Sequence, residues 1–212
     1  MSTGSELITK VRDIIRDKAT PYRCSDSLVL GYLADGVTAL CRQTHYLVDT
    51  TEYISTSDGV PTYKEKERIL KVYAARVQGE NTLLYPERGA SAKLHVSATT
   101  GQPTSFSTNI GRRQITFWPV PDDTYVIEQI CAVKPDTRME KDTDSLVEED
   151  HEIGVVNYAA AQCLLVNDID GINPGAGAEL FALWRNFIID MKQEIYRYRT
   201  TEQLVIEHWA GV

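Results

Sequence analysis

No apolar run in this 212-residue chain approaches the roughly 20 residues a helix needs to cross a bilayer. The opening MSTGSELITKVRD also lacks the apolar core of a secretory signal. Both absences predict a protein made and used in a cytosol-like compartment, with no membrane partner. Cysteine is sparse: Cys24, Cys41, Cys131 and Cys163 stand far apart with no CxxC pair, so they read as reduced interior residues. His45, His95, His151 and His208 are scattered outside any HExxH or zinc spacing, and Ser, Asp and His occur without a GxSxG nucleophile elbow. The expectation is a protein with no catalytic residues, no cofactor and no metal. Positive charge is short as well. Lys+Arg 22 against Asp+Glu 30 leave a net charge of −8, which disfavours tight, sequence-independent binding to nucleic acid phosphates but leaves passing contact with DNA open.

Two local patterns imitate ligand loops. Asp168, Asp170 and Asn173 suggest calcium ligands, but Pro174 follows where further spaced oxygens and a distal Glu are needed. Gly175-Ala176-Gly177 precedes a helical pattern without a strand before it or GK[ST] after it. Both read as turns.

What is present is ordinary globular material, 42% hydrophobic and 25% charged. Its organising stretch is Asp150 to Val166, DHEIGVVNYAAAQCLLV, apolar on every helical face apart from Gly154, Asn157 and Gln162. Such a helix is buried all round. Gly154 and the Ala159 to Ala161 run leave room for other backbones, so the segment is the expected central core helix. Ser5 to Lys18 carries Leu7, Val11, Ile14, Ile15 and Lys18 at helical spacing, with Arg12, Asp13, Arg16 and Asp17 opposite. Ser25-Asp26-Ser27 offers N-caps to a second helix striped by Val29, Tyr32, Leu33, Gly36, Val37, Leu40 and Cys41, which should pack on the central one. A last helix, Ala176 to Arg199, has Leu180, Leu183, Trp184, Phe187, Ile188, Met191, Ile195 and Tyr198 along one side.

Between Tyr46 and Pro135 the helical period disappears and Thr, Val and Tyr alternate between Gly and Pro punctuation. Tyr46 to Ile54 and Arg68 to Val77 are candidate strands joined by the turn-rich Ser57 to Pro61. Gln114 to Trp118 and Thr124 to Val133 flank Pro119-Val120-Pro121-Asp122-Asp123 and read as a hairpin. The second of these is apolar on both faces and therefore central. Arg112-Arg113 reads as a loop tip. The fold class is α+β: a helical bundle with an inserted antiparallel β lobe, divided as 1–45, 46–135, 136–199 and a C-terminal tail, 200–212.

Three stretches carry a family resemblance. Tyr22-Arg23-Cys24-Ser25-Asp26-Ser27-Leu28-Val29-Leu30-Gly31-Tyr32-Leu33-Ala34-Asp35-Gly36 resembles the S-D-x-x-L-x-x-(W/Y)-L-N-D-(G/A) opening of tailed-phage head-to-tail adaptors, also called connector or tail tubular proteins. Cys24 replaces an aromatic there and Ala34 an Asn. Gly101 to Phe106 followed by Ile115 to Asp122 is similar to their G-x-P-x-x-(Y/F) and I-x-(L/F)-(Y/W)-P-x-P pair. The order of parts holds along nearly the whole chain. The resemblance implies a dodecameric ring in the virion neck, assembled in the host cytoplasm, with the portal protein and a tail or nozzle protein as partners and DNA only in transit. It implies no catalytic residues.

The acids before the central helix, eight between Asp136 and Glu152 against Arg138 and Lys141, suit a conduit wall that repels phosphates. Asp142, Asp144, Glu148 and Glu149 are the candidate channel-facing acids, although acids in this place also favour the positive end of the helix that follows. In the tail, Leu204, Val205, Ile206 and Trp209 form an apolar group too short to make a core and are the candidate portal-docking residues. The competing reading is a small-molecule or glycan-binding β module with helical support.

Overall fold

The computed structural model describes residues 1–87, 99–109, 112–136, 139–165 and 174–199. These form a mixed α+β fold of two compact units, Met1–Thr44 with Pro135–Tyr198, and His45–Lys134.

The first unit is helical. Helix α1 (Gly4–Ile15) begins in a capping box, with Thr3 Oγ1 accepting from the Glu6 amide and Glu6 accepting from the Thr3 amide at 2.8 Å. It ends three residues before Lys18, because Arg16 adopts a left-handed conformation (φ 57°) that turns Asp17 inward. Helix α2 (Asp26–Thr44) starts where Ser25 Oγ accepts from the Leu28 amide. Its expected stripe is buried at Val29, Leu33, Gly36, Val37, Leu40 and Cys41, while Tyr32 is half-buried. A 3₁₀ turn (Glu149–His151) leads into α3 (Glu152–Leu165), and α4 (Pro174–Arg199) is the longest element.

α3 is the central helix, in contact with both α1 and α2. A Cβ on Gly36 of α2 would stand 3.0 Å from the Tyr158 ring and 3.1 Å from Val155, so glycine sets how close the two helices come. On another face a Cβ on Gly154 would overlap the Phe187 ring of α4 at 2.2 Å. Tyr158, Trp184 and Phe187 continue that seam, their successive ring centroids 5.1 and 5.7 Å apart. The helix is not buried all round. Ile153 is 54% exposed, and Asn157 and Leu164 on the same side are half-covered, although Ala160 between them is fully buried. Leu183 of α4 is likewise exposed, since it lies one helical step off the arc formed by Trp184, Ile188 and Met191. Arg12, expected on the solvent side of α1, is buried for a reason given below.

The second unit contains two sheets. One has the order β1 (Val48–Ser55), β7 (Val126–Val133), β3 (Ile69–Val77), all antiparallel, with β7 central as its two apolar faces require. The other runs β2 (Thr62–Lys64), β6 (Gln114–Trp118), β5 (Ser105–Asn109), β4 (Tyr85–Pro86), with the β4–β5 pair parallel. Val72 and Val77, Phe106, Ile115 and Phe117, and Ile127, Cys131 and Val133 form one core drawn from both sheets. The hairpin read between β6 and β7 is not there: the two strands belong to different sheets. Pro119 and Pro121 have no amide to continue a ladder, and the segment between them bonds elsewhere, with Val120 accepting from the Gly101 amide. The true hairpin is β5–β6, and Arg112-Arg113 lies in its loop, where Arg113 (φ 50°) pairs with Glu67 at 3.1 Å.

Candidate functional site

The segment expected to carry a surface function, 139–152, is held by the first residues of the chain. The Ser145 amide donates to the Ser2 carbonyl at 2.8 Å, the Gly4 amide to Thr143 at 3.1 Å and the Ser5 amide to Lys141 at 2.9 Å. With its backbone fixed this way, Ser145 and Val147 turn inward while Asp142, Asp144, Glu148 and Glu149 point to solvent. All four candidate acids thus share one exposed segment beside the start of α3. Glu148 also approaches His151, which reaches Glu194 of α4 at 3.5 Å.

One acid of the run behaves differently. Glu152 is 1% exposed and accepts from the Ser2 amide (2.8 Å), the Ser2 hydroxyl (2.7 Å) and the Lys10 ammonium (2.7 Å). Burial works against its charge, but the Lys10 and Ser2 donors outweigh burial and hold the carboxyl below its ordinary range. The sequence contained a usable signal: Glu152 sits on the helical stripe of Val155, Val156, Ala159 and Cys163, so it had to be buried and paired.

The same holds for Arg12, which stands four residues after Ile8 on the buried stripe of α1. Its guanidinium donates to Asp17 (3.2 Å), the Cys24 carbonyl (2.9 Å) and Asp26 (2.5 Å), and lies 3.5 Å from the centroid of the Tyr22 ring. Asp26 is shared with Lys141, and these two partners keep its carboxyl below the usual range. The Tyr22 to Gly36 stretch is therefore a fastening: an aromatic and an acid clamp Arg12, a serine caps α2, and a glycine admits α3. In the β unit the other two stretches that carried the resemblance are neighbours, with Ser105 opposite Trp118, Phe106 opposite Phe117, and the Thr104 amide donating to Trp118 at 2.7 Å.

The profile of the SU10 adaptor protein family matches residues 2–204. The chain belongs to that family. SU10 adaptors are phage head-to-tail adaptors, and no curated protein matches the chain. In this adaptor the Tyr22 to Gly36 stretch holds the helical unit together, and the two β stretches pair with each other. Leu204, Val205, Ile206 and Trp209 lie outside the described residues, as do the turn at Asp168 and Asp170, His95 and His208. Among the described residues no group of three His, Cys, Asp or Glu side chains is placed to hold a metal ion, and no helix is long and apolar enough to cross a membrane.

The β unit of the adaptor contains two polar features. Glu65 is buried, and its Oε1 accepts from Gln129 at 3.2 Å while its Oε2 has no hydrogen-bond partner among the described residues. Burial, helped by the nearby Glu52 charge, pushes its pKa up to about 7, against weaker pulls from Gln129 and Lys66. A pocket of about 480 Å³ is lined by Tyr85, Glu87, Thr99, Thr104, Ser105, Trp118 and Pro119, with Ser105 donating to Glu87 at 3.0 Å.

Proposed function

We propose that this adaptor is a structural component of the virion neck. Copies form a ring beneath the portal, connect the capsid to the tail or nozzle protein, and let DNA pass. The observation that carries this reading is the family match over residues 2–204. Its role is mechanical, with no catalysis, cofactor or metal. Asp142, Asp144, Glu148 and Glu149 are exposed together, which suits a wall past which phosphates move without being retained. Lateral contacts between copies draw on apolar side chains left uncovered on the helical unit, Ile153, Leu183, Ile189 and Tyr196. The tail, 200–212, docks on the portal through Leu204, Val205, Ile206 and Trp209. A ring of twelve, assembled in the host cytoplasm on the portal as template, follows from the same reading. The isolated chain can then be monomeric, because a template raises the local concentration of neighbours.

The test is to mix the purified adaptor with purified portal rings and image the product. Rings of adaptor on one portal face are expected. No binding, with no copies at the neck of the virion, overturns the proposal. The pocket at Tyr85 and Trp118, where two aromatics stand beside Glu87 and three hydroxyl side chains, is what favours the second reading, a glycan- or small-molecule-binding β module. Saturable glycan binding by a monomer that ignores portals would put that reading first.

A further inference from the structure

Cys24 lies near the end of the connection between α1 and α2, and Cys163 lies in the last turn of α3. The two are 139 residues apart in sequence, yet the Cys24 Sγ donates to the Cys163 carbonyl at 4.0 Å. That carbonyl belongs to the last turn of the helix, where no intrahelical amide is available. Both residues are buried, 6% and 8% exposed. The backbone around Cys24 is pinned as well: its amide donates to Asp17 Oδ2 at 3.2 Å and its carbonyl accepts from Arg12 at 2.9 Å. Capping a helix end and filling the interior would account for a single cysteine. They do not require that the residue whose carbonyl Cys24 reaches should itself be a cysteine.

We propose that Cys24 and Cys163 are a site of oxidative modification, closing an intramolecular disulfide when the chain meets a small disulfide such as oxidised glutathione. The Cys24 thiol loses its proton to solvent when the α1–α2 connection opens. The thiolate attacks one sulfur of the glutathione disulfide, and the first glutathione leaves as a thiolate and takes up a proton. Cys163, deprotonated in turn, attacks the Cys24 sulfur of the mixed disulfide and expels the second glutathione, which is also protonated. One S–S bond breaks and one forms, the protein loses two protons and two electrons, and two reduced glutathiones result. Burial raises the Cys163 thiol above its ordinary pKa, with the neighbouring Cys24 adding to the effect, so the step is slow and gated by local opening. If the neck role proposed above holds, the timing follows from compartment: the pair stays reduced during assembly among cellular thiols and closes once the particle reaches an oxidising medium.

The purified full chain decides the chemistry without any portal. It is incubated natively with oxidised glutathione, remaining thiols are alkylated, and the digest is mapped without reduction. The expected result is a linked peptide pair containing Cys24 and Cys163, a mass lower by two hydrogens, and a Tm higher by roughly 5 °C or more, as a long closed loop implies. Dithiothreitol should reverse both. Cys24→Ser and Cys163→Ser, which keep a small polar side chain, should each abolish the mass change and the Tm rise. A stable mixed disulfide at Cys24 alone, a link through Cys41 or Cys131, or two free thiols after equilibration each overturn the proposal. The wild-type peptide map stands even if a serine variant fails to fold.

Discussion

Glu152 and Glu65 are both buried carboxylic acids, and their surroundings push them in opposite directions. Three donors surround Glu152, so its charged form is favoured in the folded state. For Glu65 burial outweighs its one donor, Gln129, and the Glu52 carboxylate nearby adds to it, so the neutral form is favoured up to a pKa of about 7, against an ordinary 4.5. A carboxyl whose folded pKa lies above its unfolded value contributes stability that is fully present below the unfolded pKa and lost as pH rises through the folded one. Glu65 should therefore cost the β unit about 3 kcal/mol as pH climbs from 4.5 to 7. Glu65→Gln, which mimics the neutral form, should flatten that slope, read as urea midpoints at pH 5 and pH 8. A slope unchanged in the variant would show that Glu65 is not its source. Glycine supplies a second residue-scale prediction. Gly154→Ala gains about 1 kcal/mol of helix propensity but drives a methyl into the Phe187 ring. Overpacking of that kind costs about 1–3 kcal/mol, so a net loss of stability is expected in thermal melts, and a more stable variant would show that α4 gives way freely.

At the scale of elements, α3 carries the helical unit. Ala160 is fully buried among its neighbours, so Ala160→Asp places an unpaired charge where no donor waits and should abolish soluble, cooperative folding. Far-ultraviolet circular dichroism and gel filtration would show it. Most of this was legible in the sequence. The stripe of α2, its Ser25 cap and the glycine of its packing face follow from period and chemistry, and β7 is central because both its faces are apolar. What was not legible depends on partners distant in the chain. The stripes of α1 and α3 mark Arg12 and Glu152 for burial, but nothing in them says that Asp17, Asp26 and Tyr22 fold round the one, or that Lys10 and Ser2 reach the other from the far end of the sequence. The β6–β7 hairpin failed because adjacency along the chain says nothing about which sheet each strand joins. The four exposed acids were nameable from composition alone, while the residues most tightly fixed around them were not.

For the whole molecule, the decisive experiment concerns the tail. Removing residues 201–212 should leave the melting temperature of the monomer nearly unchanged and abolish portal binding, measured by co-sedimentation with portal rings. If the truncated chain unfolds and its surviving fraction still binds, the tail belongs to the core. The division of the chain into units also bears on the order of events during synthesis. The β unit is contiguous, His45–Lys134, whereas the helical unit joins Met1–Thr44 to Pro135–Tyr198. On the ribosome, β1 through β7 have all their mutual partners as soon as Lys134 emerges. α1 and α2 have no such luck, since their partner α3 is translated on the order of ten seconds later at ordinary elongation rates. For that interval the stripe from Val29 to Cys41 is unshielded apolar surface. A nascent chain stalled before α3 should therefore bind chaperones through that stripe, and one that has passed α3 should not.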